Sequence, residues 1–209
     1  MPRSHEALVR LIEKQGLSDT RIVDAFRVTD RADFVPQKFA SEAYLDRPVP
    51  LPSGQTTSQP SLIAHMVDAA ALGPKDTVLE IGTGFGFQTA LLARVAARVV
   101  SVERLGDLAV AASDNLARAG IGNAEVIVGN GWEGAKDKAP FQAIVVSAAA
   151  VEIPEALVGQ LAEGGRLVIP VKTAHSDDVL LYRKKEGELQ KMRLVTPARF
   201  VPLVQAGPE

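Results

Sequence analysis

Between Thr77 and Phe87 the chain reads TVLEIGTGFGF, an apolar run carrying one acid, Glu80, and broken abruptly by Gly82, Gly84 and Gly86. Glycines at alternate positions let the main chain turn tightly and approach a ligand closely. The residues before them are β-rich, and QTALLARVAARVV after them sets Ala90, Leu91, Ala93, Arg94 and Ala97 at helical spacing. A strand, a glycine turn and a helix N-terminus together present backbone N–H groups and the positive end of a dipole. The chemistry on offer is close binding of a small polar ligand; a turn that merely joins two elements is the competing reading. A dinucleotide fingerprint needs glycine where Phe87 stands, and no G-x-x-x-x-G-K-[ST] occurs, so neither of those phosphate loops is present.

What remains is E-x-G-x-G-x-G, which resembles the first motif of class I S-adenosylmethionine (AdoMet) methyltransferases. The next β-rich run, Arg98 to Val102, ends at Glu103, 21 positions after Gly82. There a carboxylate can take both ribose hydroxyls. A second informative stretch is GQTTSQP, Gly54 to Pro60. Pro60 fits the first turn of a helix, and Leu62, Ile63, Met66 and Val67 continue it. Thr57, Ser58 and Gln59 then sit at a helix entrance where an anion is welcome, although the same residues could simply cap an ordinary helix.

The elements that must position these groups follow from periodicity. Residues 4 to 15 put Ala7, Leu8, Leu11 and Ile12 on one helical face, and Ser18 is expected to cap a second helix with Ile22, Val23, Ala25 and Phe26 inward. RADFVP, from Arg31, reads as a turn with an apolar anchor, and Pro48, Pro50 and Pro52 forbid a helix through YLDRPVPLP. After Glu103, a helix is expected over 108–119, strands over 124–128 and 141–146, a helix from about Pro154 to Leu161, and a strand over 166–171. A final antiparallel pair, 179–184 and 192–195, flanks the Glu186-Gly187 turn. The expected fold is α/β: a Rossmann-like, doubly wound, mostly parallel sheet with an antiparallel C-terminal pair and helices on both faces. Residues 1–60 form a small helical and loop extension and 61–209 the core of one domain. The strand ends carrying Gly82, Glu103, Asn130 and Ser147 should share one edge, where open parallel sheets bind ligands.

Composition narrows the classes. At 209 residues with 46% hydrophobic content the chain can bury one sizeable core. A net charge of −2 and a pI near 6.0 give no basic field for nucleic acid or an anionic membrane. Without cysteine there is no disulfide, thiolate nucleophile or thiolate metal cage. No signal peptide and no run of about 18 apolar residues is evident, so a cytoplasmic protein is expected.

Over nearly its full length the chain resembles the protein-L-isoaspartate O-methyltransferases. The selective pieces are RADFVP, GQTTSQP, VSVER, GNGW, FQAIVVSAAAVEIPEAL, LAEGGRLVIPV and RFVPL, alongside the AdoMet loop VLEIGTGFGFQTALLA. The resemblance implies methyl transfer from AdoMet, leaving S-adenosylhomocysteine, to the α-carboxylate of L-isoaspartyl residues in age-damaged proteins or peptides. The ester then closes to a succinimide. It implies no metal and, by family habit, a monomer.

Residue by residue, it implies Ser58 as the active-site serine, and Gly82, Thr83, Gly84, Gly86, Glu103, Arg104, Asn130 and Gly131 around the cofactor. Thr57 and Gln59 stand beside them, and Glu80 would reach the cofactor's amino group through water. Thr56, Ser58, Ser147 and Val204 would meet the acceptor. Trp132 could stack near the adenine or simply pack. An ionised carboxylate acceptor needs no general base, so none of the three histidines has to be catalytic, and His5 and His175 are expected at the surface. Three positions depart from the family pattern: Asn130 stands in GNG where GDG is usual, Ser61 follows SQP in place of an aromatic, and Pro52 sits in the loop before GQT. A methyltransferase of small molecules or RNA would share the glycine loop and Glu103 but not SQP and RFVPL. A non-catalytic AdoMet or isoaspartyl binder is favoured only by Asn130 and Ser61.

Overall fold

Residues 3–205 and 207 are described by the structure, a computed structural model. Ser4 caps the first helix, α1 (His5–Glu13), its Oγ accepting from the Ala7 N–H at 3.3 Å. The cap of α2 (Thr20–Arg27) is Asp19 rather than the expected Ser18, its carboxylate accepting from the Arg21 N–H at 3.0 Å. Ser18 is held outside the helix because its own N–H donates to Asp68 Oδ1 at 2.9 Å. Arg31–Phe34 forms a single 3-10 turn with Phe34 fully buried. A two-residue hairpin follows, β1 (Val49–Pro50) antiparallel to β2 (Thr56–Thr57). Pro60 then opens α3 (Pro60–Ala70) at its first position.

The core alternates as its sequence pattern requires: β3 (Thr77–Ile81), α4 (Phe87–Val95), β4 (Arg98–Glu103), α5 (Gly106–Arg118), β5 (Ala124–Val128), β6 (Phe141–Val146), α6 (Glu155–Gln160), β7 (Leu161–Lys172), β8 (Asp177–Lys185) and β9 (Glu188–Ala198). The strands make one sheet in the order β5-β4-β3-β6-β7-β8-β9, with β3 to β7 parallel and β8 and β9 antiparallel. Helix α4 stops two residues short of Ala97 because Ala96 is already extended. The terminal hairpin is longer than its apolar residues indicate, since backbone pairing carries both strands into exposed polar sequence.

Side chains alternate across the sheet. Val78, Val99, Ala143 and Val168 pack on one face with α1 to α4 and Leu116 of α5; Leu79, Val100, Ile144 and Leu167 pack on the other with Leu157 of α6. Leu8, Ile22 and Phe26 of the N-terminal helices belong to the first cluster. Those helices therefore cover the helical layer rather than the sheet edge, and Phe26 meets Phe87 edge to face at 5.7 Å. The order reverses at β3, where the chain first winds out to β4 and β5 and then returns to β6. That reversal leaves a crevice at the strands' carboxyl ends, between Gly82 and Ser147.

Candidate active site

The crevice is a cleft of about 280 Å³. The turn after β3 contributes Gly82, Thr83 and Gly84, and the end of β4 contributes Glu103 and Arg104. Gly131 lines it from the loop after β5, Ser147 from the end of β6, and Thr56, Thr57 and Ser58 from β2 and the residue beyond. Val204 closes the rim. Glu103 is buried, and its two carboxylate oxygens accept from Gly84 N–H at 2.8 Å and Leu105 N–H at 3.1 Å. Each oxygen keeps a lone pair for a ligand hydroxyl. Gly84 has φ +58, and a Cβ there would lie 3.2 Å from Leu51 Cδ1, so both conformation and space call for glycine.

Of the residues assigned to the cofactor or acceptor, four do not border this cleft, and nor does Trp132, which the sequence leaves between stacking and packing. Glu80 is fully buried on the Val78 face of β3, beneath α4. Its carboxylate accepts from Thr89 Oγ1, from Ser101 Oγ at 2.6 Å and from Gln88 Nε2 at 3.0 Å. Three scaffold donors thus surround it, and one of them, Gln88, lines the cleft. Gly86 faces Leu116 and Ala112 of α5, where a Cβ would approach Leu116 Cγ to 3.3 Å. Asn130 turns its amide oxygen back to Trp132 N–H at 3.0 Å and its amide nitrogen to Glu133 at 3.1 Å, closing its own turn.

Gln59 is the fourth. It donates to Asp46 Oδ2 at 3.0 Å and to Ser61 Oγ at 2.8 Å, and it faces an adjoining groove of about 390 Å³. Asp46 also accepts from Ser61 N–H and Ser61 Oγ, both at 2.9 Å. The entrance of α3, expected to welcome an external anion, is therefore occupied by the chain's own carboxylate, and Ser61 is the partner that fastens it. Thr56, Ser58, Ser147 and Val201 line both cavities, so cleft and groove meet at these residues. Ser58 Oγ makes no hydrogen bond among the described residues. His65 lines the groove with Nε2 3.3 Å from Gln15. His5 is partly exposed, its Nε2 3.0 Å from the Arg27 carbonyl; His175 is exposed.

Among the contributors to the wall that sequence reasoning missed, two stand out. Gln88 lines the cleft, donates to Ser147 Oγ at 2.9 Å as well as to Glu80, and leaves its Oε1 buried without a partner among the described residues. Its position one residue into α4 was the available signal. Val201 to Leu203 form the second, tied to the end of β6 by Ala149 N–H to Val201 O and Leu203 N–H to Ala149 O, both 2.8 Å.

Burial pushes the Glu80 carboxyl up from 4.5 to about 7 against the opposing hydrogen bonds of Ser101, Thr89 and Gln88, with Glu103's charge adding to the rise. Between those two values the folded state holds the proton more firmly than the unfolded chain. Glu80 therefore stabilises the fold below pH 4.5 and loses that contribution as pH rises toward 7, by roughly 3 kcal/mol in all. Glu80→Gln, which does not titrate, should narrow or reverse its stability deficit by that amount between pH 4.5 and 7.5. Urea midpoints of the two proteins at both pH values measure it, and parallel pH profiles would show that Glu80 does not carry the shift.

The cleft wall is rich in acceptors: both oxygens of Glu103 and the unpartnered Oε1 of Gln88. It suits a ligand that brings hydroxyl and ammonium donors, as the ribose and amino acid of AdoMet do. The family model described as protein-L-isoaspartate(D-aspartate) O-methyltransferase (PCMT) matches residues 3–207. A protein-L-isoaspartate O-methyltransferase of Methanoculleus marisnigri is 47% identical over 203 residues, covering 97% of this chain and 92% of that protein. One from Koribacter versatilis is 45% identical, covering 92% and 86%. A solved protein-L-isoaspartate O-methyltransferase superposes with a TM-score of 0.84 at 31% identity, over 95% of this chain and 65% of that longer one. A crystal structure of such an enzyme from Plasmodium falciparum, in complex with S-adenosyl-L-homocysteine, also gives 0.84, at 25% identity over 98% of this chain and 100% of that one. The chain belongs to the protein-L-isoaspartate(D-aspartate) O-methyltransferase family.

Proposed function

We propose that this chain methylates the free α-carboxylate of L-isoaspartyl residues in damaged proteins or peptides, with AdoMet as donor. The observation that carries the reading is the junction at Thr56, Ser58, Ser147 and Val201, where the cleft lined by Glu103 and the glycine turn opens into a second groove of about 390 Å³. Bound in the cleft, AdoMet supplies an electrophilic methyl on a sulfonium. Glu103 takes the ribose hydroxyls, the backbone of Gly82 and Gly84 approaches the amino-acid portion, and Gly131 forms part of the opposite wall. Arg104, Thr83 and Thr57 complete the donor side.

On the acceptor side Ser58 Oγ donates to the substrate carboxylate, helped by Thr56 and Ser147, with Val204 at the rim. The carboxylate is already ionised at neutral pH, so these residues orient and dehydrate it rather than activate it. One carboxylate oxygen gains the methyl group. The following backbone nitrogen then attacks the ester carbonyl and expels methanol, and water opens the resulting succinimide in part to normal aspartate. We read residues 1–209 as one folding unit because the N-terminal helices share the core cluster, and we take the chain to act as a cytoplasmic monomer. No helix among the described residues is long and apolar enough to cross a membrane.

Tritiated AdoMet with paired isoaspartyl and aspartyl peptides tests the activity, read as base-labile volatile methanol. Transfer to the isoaspartyl member alone is expected; transfer to neither by a folded, AdoMet-binding sample would reject the reading. Ser58→Ala should lower kcat about tenfold or more, the loss of one charge-assisted hydrogen bond, while leaving S-adenosylhomocysteine affinity within about twofold by calorimetry. Loss of that affinity would put Ser58 on the donor side instead.

A further inference from the structure

Arg31 opens the RADFVP turn, and its side chain is completely buried. It lies at the start of the 3-10 turn, and no carboxylate stands within ion-pair distance of it among the described residues. Its four terminal donors are spent on carbonyls instead. Nη1 reaches Ala43 O at 3.0 Å and Leu45 O at 3.1 Å, and Nη2 reaches Arg47 O at 3.2 Å and Ser58 O at 3.0 Å. Its Cζ also sits 5.8 Å from the ring centre of Phe87, the first residue of α4 after the glycine turn. One guanidinium therefore touches both the segment that bears Ser58 and the helix that begins the donor cleft.

We propose that Arg31 is a positioning residue, which fixes Ser58 against the donor cleft by holding its carbonyl while leaving its hydroxyl unengaged. Burial lowers the guanidinium to about 10, against the opposing charge of Asp46, so it remains a cation at neutral pH. A buried cation without a directly bonded carboxylate is costly, and the four carbonyls offset that although its Nε–H, also buried, has no hydrogen-bond partner among the described residues. Arginine's planar fork can span four acceptors; an ammonium on a shorter stem has three donors and cannot reproduce the pattern. The consequence for chemistry is large, because displacing a reacting group by about 1 Å can cost on the order of 100-fold in rate.

The proposal rests on the assignment of Ser58 to the acceptor, and a double-mutant cycle separates the two. Arg31→Lys should lower kcat about fivefold to tenfold, by no more than Ser58→Ala does, while S-adenosylhomocysteine affinity stays within about twofold. In a Ser58→Ala background the same substitution should change kcat by less than about threefold, because the group it positions is gone. If Ser58→Ala alone is silent, the assignment of Ser58 fails and takes this proposal with it. If Ser58→Ala is impaired and the two substitutions multiply, Arg31 acts elsewhere and only the proposal falls.

Should Arg31→Lys fail to fold, a backbone ester introduced between Ser58 and residue 59 weakens the Ser58 carbonyl as an acceptor and leaves the other three bonds intact. A fall in kcat of about fivefold or more with unchanged S-adenosylhomocysteine affinity is then expected, and an unchanged kcat would overturn the proposal.

Discussion

Glu103→Ala is expected to weaken S-adenosylhomocysteine binding by about 30-fold to 1000-fold. In the proposed role the carboxylate would give two charge-assisted hydrogen bonds to a ribose, each worth about 1.5–3 kcal/mol, of which water recovers a part. The same residue also accepts from Gly84 and Leu105 N–H, so its removal frees the glycine turn as well as the ligand. Glu103→Gln should fall between the two proteins, since one amide oxygen can still accept. Calorimetry with S-adenosylhomocysteine measures both, and wild-type affinity in the alanine variant would remove Glu103 from the ribose site.

Gly131→Ala should be the most disruptive single methyl in the cleft. A Cβ there would lie 2.4 Å from Ile81 Cγ2 and 3.5 Å from Leu203 Cδ1. Ile81 is buried at the end of β3, directly before Gly82, so it cannot yield without moving the turn. Overpacking of this kind costs about 3 kcal/mol, or roughly 6–12 °C in Tm for a chain of this size, and S-adenosylhomocysteine affinity should fall more than 100-fold. Gly129→Ala is the control two residues away, where a Cβ would meet Val102 Cγ1 at an ordinary 3.4 Å. A Gly131→Ala protein that melts and binds like the Gly129 variant would show that the wall gives way freely.

Much of this arrangement is legible in the sequence because strand period and glycine punctuation locate the carboxyl ends of β3, β4 and β6. Gly82, Gly84, Glu103, Gly131, Ser147 and Ser58 accordingly meet at one cleft. What escaped depends on contacts between distant segments. Asp46 fastens the entrance of α3 from 15 residues away, and no local pattern announces it. Arg31 is buried only because the loop from Ala43 to Ser58 wraps it. Glu80 is different: two-residue alternation puts it on the face of Val78, so strand parity already assigns it to the helical layer. The expectation of a ligand role came from resemblance, which says which residue is present and not which way it points. Asn130 was read as an acceptor for the ligand on the same basis, whereas an asparagine two residues before a free N–H readily closes on its own backbone.

Glu80's setting bears on how the strands find their alignment. Glu80 stands directly opposite Ser101 across the parallel pair of β3 and β4. Sliding β3 by one residue would carry the acid to the opposite face, among Val100, Ile144 and Leu167, with no hydroxyl to meet it. The apolar residues on either side of it, mostly valine, leucine and isoleucine, would tolerate such a slip. A single misfitting polar group thus acts as a locating pin, making a one-residue shift of an otherwise interchangeable set of strands unfavourable while the sheet assembles.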